Sequence, residues 1–326
     1  MTVTPSSSSE TPATLSMPSR NLRGVANAWL VSGYSALVHR GRRLTATVEA
    51  WVRGRIDRCD VCGSFGPRPL EPRLMAPALV RLWNLSPELT RAFVEKESGF
   101  CGVCGSNLRA RRLARVILDL LAPPDPTIRC LDDWWSRADS RCWRIALFNA
   151  IPGVDWIAAR HAGPHVLRCE YEPSRTDDPT IRREDLTRLN LDTGSLDMVV
   201  TSETLEHVPD LNQAWAELRR VLRPGGWHVF TVPQRPDQAK TVARARLSPS
   251  GKLEALDELA LLYHPGGDWG WPVFTEFGLD LNEVLDRAGF DATLKFGPVS
   301  HQDVAQVWVA QRRADSSPVG TKSVSN

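Results

Sequence analysis

The sequence predicts an α/β fold whose sheet is mostly parallel, preceded by a small helical module that binds a metal ion. From about Cys142 onward, short apolar runs alternate with helical segments, which is the pattern of a parallel sheet covered by helices. The last two apolar runs, residues 292–296 and 304–311, flank a Gly-Pro turn and predict a closing antiparallel hairpin. Upstream, two Cys-x-x-Cys pairs are typical of a tetrahedral metal site.

Length and composition are those of an ordinary globular protein. Of 326 residues, 42% are hydrophobic and 24% charged, and the net charge is +2, which excludes collagen-like, wholly disordered and strongly polyanion-binding chains. Seven Cys are too few for a disulfide scaffold, and their number is odd, so a reducing compartment is expected. No apolar run reaches the length of about 18 residues that a membrane span needs. The apolar stretch at residues 26–38 is followed by Arg, unlike a secretory signal, and a cytoplasmic location is predicted.

The chain divides into four predicted parts. Residues 1–22, rich in Ser, Thr and Pro, are predicted to form a disordered tail, and residues 313–326 a second one. Residues 23–126 form the helical metal-binding module, and residues 127–312 form the α/β domain. Within that domain, an insertion at about 234–278 is rich in aromatic residues and Gly. It is expected to act as a substrate lid or, alternatively, as a packed cover on the sheet edge.

Apolar periodicity predicts the elements of both parts. In the module, helices are expected over residues 27–51 and 108–121, and the Arg side of the second helix is expected to face solvent. In the domain, the predicted strands are residues 145–148, 165–169, 196–200 and 227–232, with a weaker strand near Ile181. The predicted helices are residues 154–162, 211–222 and 279–288.

Four Cys residues are predicted to hold a structural zinc ion: Cys59, Cys62, Cys101 and Cys104. Two residues between paired thiolates allow a tight turn to aim both sulfur atoms at one ion, and the Gly after each pair relieves the backbone. Four reduced thiols without a metal are the alternative. A redox pair is disfavoured, because no thioredoxin-like βαβ pattern surrounds either Cys pair.

Four motifs carry a resemblance to a known family. They are a Glu-Asp-Leu turn at residues 184–186, a Ser-Leu-Asp strand start at 195–197, a Glu-His-Val-Pro turn at 206–209 and an Arg-Val-Leu-Arg-Pro-Gly-Gly segment at 220–226. With these motifs the α/β domain resembles the class I S-adenosylmethionine-dependent methyltransferases of the type 11 branch. The resemblance implies a Rossmann-like sheet with an antiparallel final strand, and S-adenosylmethionine as the methyl donor. The segment from Cys104 to Arg109 also resembles the Cys-rich part that precedes some members' methyltransferase domains.

The resemblance and the sheet topology together indicate the cofactor-binding residues. In an open parallel sheet a ligand lies outside the carboxyl ends of the strands, near the point where the strand order reverses. Glu170, just past the second strand, is expected to accept hydrogen bonds from both ribose hydroxyls, with Glu172 as the second choice. Asp185, followed by Leu186, resembles the family's acceptor for the adenine amino group.

The loop after the first strand departs from the family pattern. A Gly-rich turn normally brings the backbone close to the methionine part of the cofactor, whereas residues 147–153 contain one Gly, Gly153. Either Asn149 and the backbone amides of the following helix replace that turn, or cofactor binding is impaired. Asn149 and Gly153 are therefore the candidate contacts in this loop.

Polar side chains past the fourth strand are expected to face the transferred methyl group. Thr201 and Glu203 are assigned to cofactor binding, and Glu206, His207 and, in the insertion, His264 to catalysis. Because imidazole exchanges a proton near neutral pH, His207 is a candidate base or acceptor-orienting group. The alternative is a His that anchors its loop. The segment from Glu203 to His207 also resembles the Mg²⁺ or Mn²⁺ sites of some methyltransferases, with His264 as a distant ligand.

The leading hypothesis is an S-adenosylmethionine-dependent methyltransferase that acts on a small molecule, at a hydroxyl of a sugar, a lipid-linked compound or a secondary metabolite. One alternative is an RNA or protein methyltransferase that uses the zinc module and the Arg side of its second helix as a reader. The net charge of +2 argues against a nucleic-acid partner. The other alternative is a non-catalytic binding protein that keeps the fold. The sequence predicts no oligomeric state.

Overall fold

A computed structural model describes residues 45–72, 75, 77–161, 163–172, 178–256, 261–264 and 270–314. The tail predicted for residues 1–22 lies outside these ranges, as does the tail predicted for 313–326 apart from its first two residues. Of the helix predicted over residues 27–51, only the end is described, where residues 45–52 are helical (α1).

The N-terminal part contains a hairpin and further helices around the Cys pairs. Its elements are β1 (Ile56–Arg58), β2 (Phe65–Pro67), α2 (Pro77–Leu82), α3 (Pro87–Glu97), α4 (Leu108–Leu121) and α5 (Leu131–Trp135). Helix α4 has the bounds predicted for it, whereas the hairpin, α2, α3 and α5 have no counterpart among the sequence predictions. Helix α3 nevertheless carries a start signal, since Ser86 caps it by accepting the Leu89 N–H and Pro87 occupies its first turn.

A seven-stranded sheet forms the centre of the domain. Its strands are β3 (Ile145–Phe148), β4 (Val166–Glu170), β5 (Ile181–Arg183), β6 (Leu196–Ser202), β7 (Leu222–Thr231), β14 (Phe290–Lys295) and β15 (Val307–Arg312). Their order across the sheet is β14-β15-β7-β6-β3-β4-β5. Strands β3 to β7 pair in parallel, and β15 pairs antiparallel with both β7 and β14. The predicted mostly parallel sheet with an antiparallel closing hairpin is confirmed.

Helices cover both faces of this sheet. Helices α4, α5 and α6 (Val154–Arg160) pack on one face, and α7 (Leu211–Val221) and α8 (Leu281–Arg287) on the other. Strand β3 is buried at all four of its positions, as expected of a strand covered on both faces. One apolar cluster joins Leu113 and Ile117 of α4 to Val229 and Val309 of the sheet. The core therefore runs across the boundary predicted at residue 126.

The Arg side of α4 is not a solvated face. Arg109 is buried and binds the Glu97 carboxylate and the Ser202 hydroxyl. Arg111 is also buried and donates to the carbonyl oxygen of Ser106. The expectation of a solvated face is wrong because protein packs against α4 on this side as well as on its apolar side.

The predicted insertion at residues 234–278 contains short antiparallel strand pairs in its described part. Its strands are β8 (Val242–Ala243), β9 (Ala245–Leu247), β10 (Leu253–Ala255), β11 (Tyr263–His264), β12 (Trp271–Pro272) and β13 (Thr275–Glu276). The β11–β12 pair sets His264 opposite Trp271. The Phe274 N–H donates to the Glu206 carbonyl at 2.7 Å, which fixes the insertion to the segment after β6.

A fully buried His in β7 makes stability depend on pH. His228 is bonded through Nε2 to the Thr201 hydroxyl and stacks on Phe230, and burial lowers its pKa to about 3. The unfolded chain takes up this proton near pH 6.5, so the stabilisation is complete above that pH and is lost as the pH falls toward about 3. From pH 7.5 to 5.0 we expect this group to lower the free energy of unfolding by about 2 kcal/mol.

Urea unfolding of the wild type and of His228→Asn at both pH values measures that effect. The variant is expected to lose less stability between the two pH values than the wild type, because its buried amide does not titrate. All other groups contribute equally to both proteins. Equal losses in the two proteins would contradict the assignment.

Candidate functional site

The four predicted zinc ligands converge on one point. The sulfur atoms of Cys59 and Cys104 are 3.7 Å apart, as are those of Cys62 and Cys101, and all four lie within 4.8 Å of one another. A tetrahedral ion with Zn–S bonds of about 2.3 Å needs sulfur atoms about 3.8 Å apart. The donor set and its spacing are therefore compatible with zinc.

The two Cys pairs are built alike. In the first, the Cys59 N–H donates to the Ser64 carbonyl and the Gly63 N–H donates to the Cys59 carbonyl, and the second pair repeats both bonds. The Gly after each pair adopts a left-handed backbone conformation, with φ of +75° at Gly63 and +74° at Gly105. A Gly is required at these two positions because residues with a Cβ rarely adopt that conformation.

Two Ser side chains, which the sequence analysis missed, complete the cluster. The Oγ of Ser64 lies 3.2 and 3.1 Å from one sulfur atom of each pair, and the Oγ of Ser106 lies 3.2 Å from each of the other two. Each hydroxyl therefore joins the two halves of the site. The signal was available in the sequence, because both pairs read Cys-x-Val-Cys-Gly-Ser.

The second Cys pair packs directly against the loop that follows β3. Gly153 has φ +74°, and a Cβ there would lie 2.8 Å from Ser106 Cβ, 2.9 Å from Ser106 N and 3.0 Å from the Cys104 carbonyl oxygen. Both the conformation and the close approach require Gly at this position. Gly153, predicted to contact the cofactor, thus also forms the contact between the Cys cluster and this loop.

Asn149, a candidate replacement for the Gly-rich turn, lies at the start of the same loop. Its φ is +60°, a left-handed conformation that Asn tolerates better than most residues. Its backbone N–H donates to the Cys169 carbonyl, and its side-chain amide donates to Thr204 Oγ1 at 3.1 Å. Asn149 therefore links the carboxyl ends of β3 and β4 to the segment after β6.

Glu170 is the last residue of β4 and lies beside this loop. Burial raises the pKa of its carboxyl group, although the Ala150 N–H acts in the opposite direction. The Glu170 carbonyl accepts the Glu184 N–H, which joins β4 to the turn that contains Asp185. Asn149, Glu170 and Asp185 thus lie at the carboxyl ends of three adjacent strands, where a parallel sheet binds its ligand.

The turn after β5 is shaped by Asp185 itself. Its Oδ1 accepts both the N–H and the hydroxyl of Thr187, each at 2.8 Å. Leu186, the next residue, is buried among the apolar side chains under this edge of the sheet. The turn is thereby held rigidly beside Glu170.

The side chains of two residues predicted to contact the cofactor have protein partners. The Thr201 side chain is fully buried, and its hydroxyl is hydrogen-bonded to His228. The predicted cofactor contact of Thr201 therefore does not involve this hydroxyl. Glu203 is left-handed, with φ +50°, and its Oε2 binds Lys96 Nζ at 2.7 Å. The partner, Lys96, is itself fully buried, so this ion pair fixes α3 to the end of β6.

The three predicted catalytic residues come together after β6. His207 Nε2 lies 3.5 Å and His264 Nδ1 lies 3.7 Å from Glu206 Oε1, and the ligand atoms of all three lie within 4.8 Å of one another. Glu206 is fully buried. Burial alone would raise the pKa of its carboxyl group, but His264 and His207 outweigh burial and hold that pKa below its ordinary value.

The sequence did not reveal which residues surround Glu206, His207 and His264. Trp83, between α2 and α3, packs edge-on against the His264 ring at 5.1 Å. Lys96 and Arg109, from α3 and α4, reach the end of β6 as buried cations. A Trp or a charged helix residue gives no such signal in the sequence, because only the tertiary fold brings it to this position.

The strand order and the convergence of these residues at the carboxyl ends of β3 to β6 agree with the resemblance of the sequence to the class I S-adenosylmethionine-dependent methyltransferases. In agreement, residues 157–230 match the family described as Methyltransferase domain. The matched segment, which is less than a quarter of the chain, is therefore similar to methyltransferase domains.

Comparison with known proteins gives one similarity over a short segment and several distant similarities to solved structures. A stretch of 67 residues is 51% identical to an uncharacterized 37.1 kDa protein in transposon TN4556 of Streptomyces fradiae, and covers 20% of this chain and 19% of that protein. An S-adenosylmethionine-dependent methyltransferase from Mesorhizobium loti is 20% identical, with a TM-score of 0.34, over 52% of this chain and 91% of that one. The 1,6-didemethyltoxoflavin-N1-methyltransferase of Burkholderia thailandensis is 14% identical, with a TM-score of 0.36, over 64% and 79%.

Among the described residues, no helix combines the length and the apolar character that are needed to cross a bilayer.

Proposed function

We propose that this chain transfers the methyl group of S-adenosylmethionine to a hydroxyl oxygen of a small molecule, such as a sugar, a lipid-linked compound or a secondary metabolite. One observation carries the proposal. Asn149, in the loop assigned to the cofactor, donates to Thr204, two residues before Glu206 and three before His207. The residues assigned to the methyl donor and those assigned to the acceptor are therefore neighbours.

On the donor side, Glu170 would accept hydrogen bonds from the ribose hydroxyls, and Asp185 would accept one from the adenine amino group. The start of α6, next to Gly153, offers backbone N–H groups and the positive end of a helix to the methionine carboxylate. Two left-handed residues, Asn149 and Gly153, supply the turn that a Gly-rich loop would otherwise form.

On the acceptor side, His207 would take up the proton of the hydroxyl as the oxygen attacks. The carbon–oxygen bond forms as the carbon–sulfur bond breaks, and the electron pair of the broken bond neutralises the sulfonium. His207 Nδ1 donates to the Pro272 carbonyl at 2.8 Å, which leaves Nε2 to accept a proton. Glu206 would stabilise the imidazolium that results, and His264 would help to orient the acceptor.

The Cys cluster would contribute to this reaction only indirectly. Zinc bound by the four thiolates would hold the Cys104–Ser106 segment in place, and this segment supports the Gly153 loop. Its role is therefore structural. The reader alternative, an RNA or protein methyltransferase, loses support because Arg109 and Arg111 are buried in ionic and backbone contacts.

Calorimetric titration with S-adenosylhomocysteine tests the proposal. We expect saturable binding by the wild type and binding at least about tenfold weaker by Glu170→Ala, because two hydrogen bonds to a charged acceptor are lost. Glu172→Ala is the matched control and should bind as the wild type does. No heat from the wild type at millimolar ligand would refute the proposal and favour a non-catalytic binding protein. If Glu172→Ala weakens binding and Glu170→Ala does not, the ribose hydroxyls are bound by Glu172 and not by Glu170.

A further inference from the structure

We propose that Glu206, His207 and His264 bind a divalent transition-metal ion, which holds the hydroxyl of the methyl acceptor. The metal site is inferred from its own geometry. Its role toward the acceptor rests on the proposed function.

The first argument is the carboxylate of Glu206. Its side chain is fully buried, and neither oxygen has a hydrogen-bond partner among the described residues. A buried carboxylate without partners is costly, whereas one that coordinates a cation is not. Its nearest cationic or metal-binding neighbours are the two imidazoles.

The spacing of the three ligand atoms suits an ion. Neighbouring ligands of a tetrahedral ion with bonds of about 2.1 Å lie about 3.4 Å apart. The distances from Glu206 Oε1 to His207 Nε2 and His264 Nδ1 are 3.5 and 3.7 Å, each within a few tenths of an ångström of that value, and all three ligand atoms lie within 4.8 Å of one another.

Both imidazoles are held in the orientation that a metal requires. His207 donates its other ring N–H to the Pro272 carbonyl, which is the usual outer partner of a metal-bound His and leaves Nε2 as a ligand. The His264 ring is fixed by edge contacts with Trp83 at 5.1 Å and with His207 at 5.0 Å. The β11–β12 pair fixes its backbone.

One of the three ligands borders a small cleft. His264 borders a cleft that is also lined by Trp83, Phe93 and Arg235. Three protein ligands leave at least one coordination position free, which is the arrangement of catalytic rather than structural metal sites. That position is the one in which a hydroxyl of the acceptor would bind.

The donor set selects the metal. Two nitrogen atoms and one carboxylate favour Zn²⁺, Mn²⁺, Fe²⁺ or Co²⁺ over Mg²⁺, which prefers oxygen ligands. Glu203, a further oxygen ligand expected from the sequence, does not belong to the group of ligand atoms that lie within 4.8 Å of one another, and its Oε2 binds Lys96. The expected ion is therefore a transition metal and not Mg²⁺.

An ion at this position changes how the acceptor loses its proton. Coordination would make a hydroxyl more acidic, so that it would lose its proton to solvent before it attacks. The oxygen would then attack the methyl carbon, the carbon–sulfur bond would break, and S-adenosylhomocysteine would leave as a neutral thioether, with no oxidation or reduction. With the ion bound, His207 acts as a ligand, and the proton transfer proposed for it above is not needed.

Addition of Co²⁺ to protein whose Cys cluster has first been filled with zinc tests the inference. After dialysis, elemental analysis should give about one cobalt in addition to about one zinc per chain. The absorption spectrum should show the weak bands of nitrogen and oxygen ligands, without the intense charge-transfer band of thiolate ligands. His264→Ala and Glu206→Gln should each weaken Co²⁺ binding at least about tenfold.

His161→Ala is the matched control, because His161 binds Asp132 away from this site, and it should bind Co²⁺ as the wild type does. His264→Ala should keep its affinity for S-adenosylhomocysteine, which shows that it is folded. The inference is wrong if the zinc-filled wild type binds no Co²⁺, or if His264→Ala binds it unchanged. Because the metal titration uses no methyl donor, its failure is distinct from a failure of S-adenosylhomocysteine to bind.

Discussion

Replacing Cys59 and Cys101 with Ala is expected to remove the zinc and to leave the chain largely unfolded at 25 °C. Structural zinc sites contribute about 10–16 kcal/mol of binding free energy at neutral pH, which is comparable to the entire stability of about 5–15 kcal/mol of a typical domain. Here the cluster belongs to the same apolar core as α4 and the sheet. Loss of the ion should therefore affect the whole domain rather than a separate module.

Elemental analysis and denaturant unfolding measure this effect. The wild type should contain about one zinc per chain, and the double variant none. Cys142→Ala is the matched control, because Cys142 is an exposed thiol outside the cluster. Its loss should change neither the zinc content nor the free energy of unfolding. A zinc-free wild type with a normal unfolding transition would overturn the assignment of the four Cys.

Gly153→Ala is expected to cost about 2–4 kcal/mol of stability and to weaken S-adenosylhomocysteine binding. The left-handed conformation alone costs an Ala residue about 1–2 kcal/mol. The remainder comes from a Cβ placed within 3.0 Å of three atoms of the Cys104–Ser106 segment, two of which belong to the backbone and cannot move aside. The loop must shift to relieve this contact, and the loop is assigned to the cofactor.

Urea unfolding and calorimetry on the same samples separate the two effects. Gly163→Ala is the control, because Gly163 follows α6, has no neighbour within 4 Å of a Cβ and does not face the Cys cluster. It should resemble the wild type in both measurements. If Gly153→Ala is as stable as the wild type, the close contact between the loop and the Cys cluster is incorrect.

Local patterns allowed much of the fold to be predicted. The sequence predicted the bounds of α4 and β3 because an apolar helix face and a continuously apolar strand depend on neighbouring residues. It also predicted that the Cys pairs converge, since the spacing within each pair reflects ligand geometry. The bounds of β7 were less accurate, because the strand was predicted to begin at residue 227 but begins at Leu222 and includes the Pro-Gly-Gly segment.

Contacts between distant parts of the chain could not be predicted in the same way. Arg109 looks like a surface residue in the sequence, and only the position of Glu97 and Ser202 explains its burial. His264 was suggested as a distant ligand, but its distance from Glu206 depends on how the insertion folds back through Phe274. These features follow from tertiary packing, which no local periodicity encodes.

The position of α4 in the core has a consequence for folding during synthesis. Its apolar side packs on β7 and β15, which lie at residues 222–231 and 307–312, long after the end of α4 at Leu121. On the ribosome the helix therefore emerges well before the strands that cover it. The Cys cluster, in contrast, is complete once Cys104 has emerged. We expect zinc to organise the first third of the chain and to limit the exposure of α4 while the sheet is still being made.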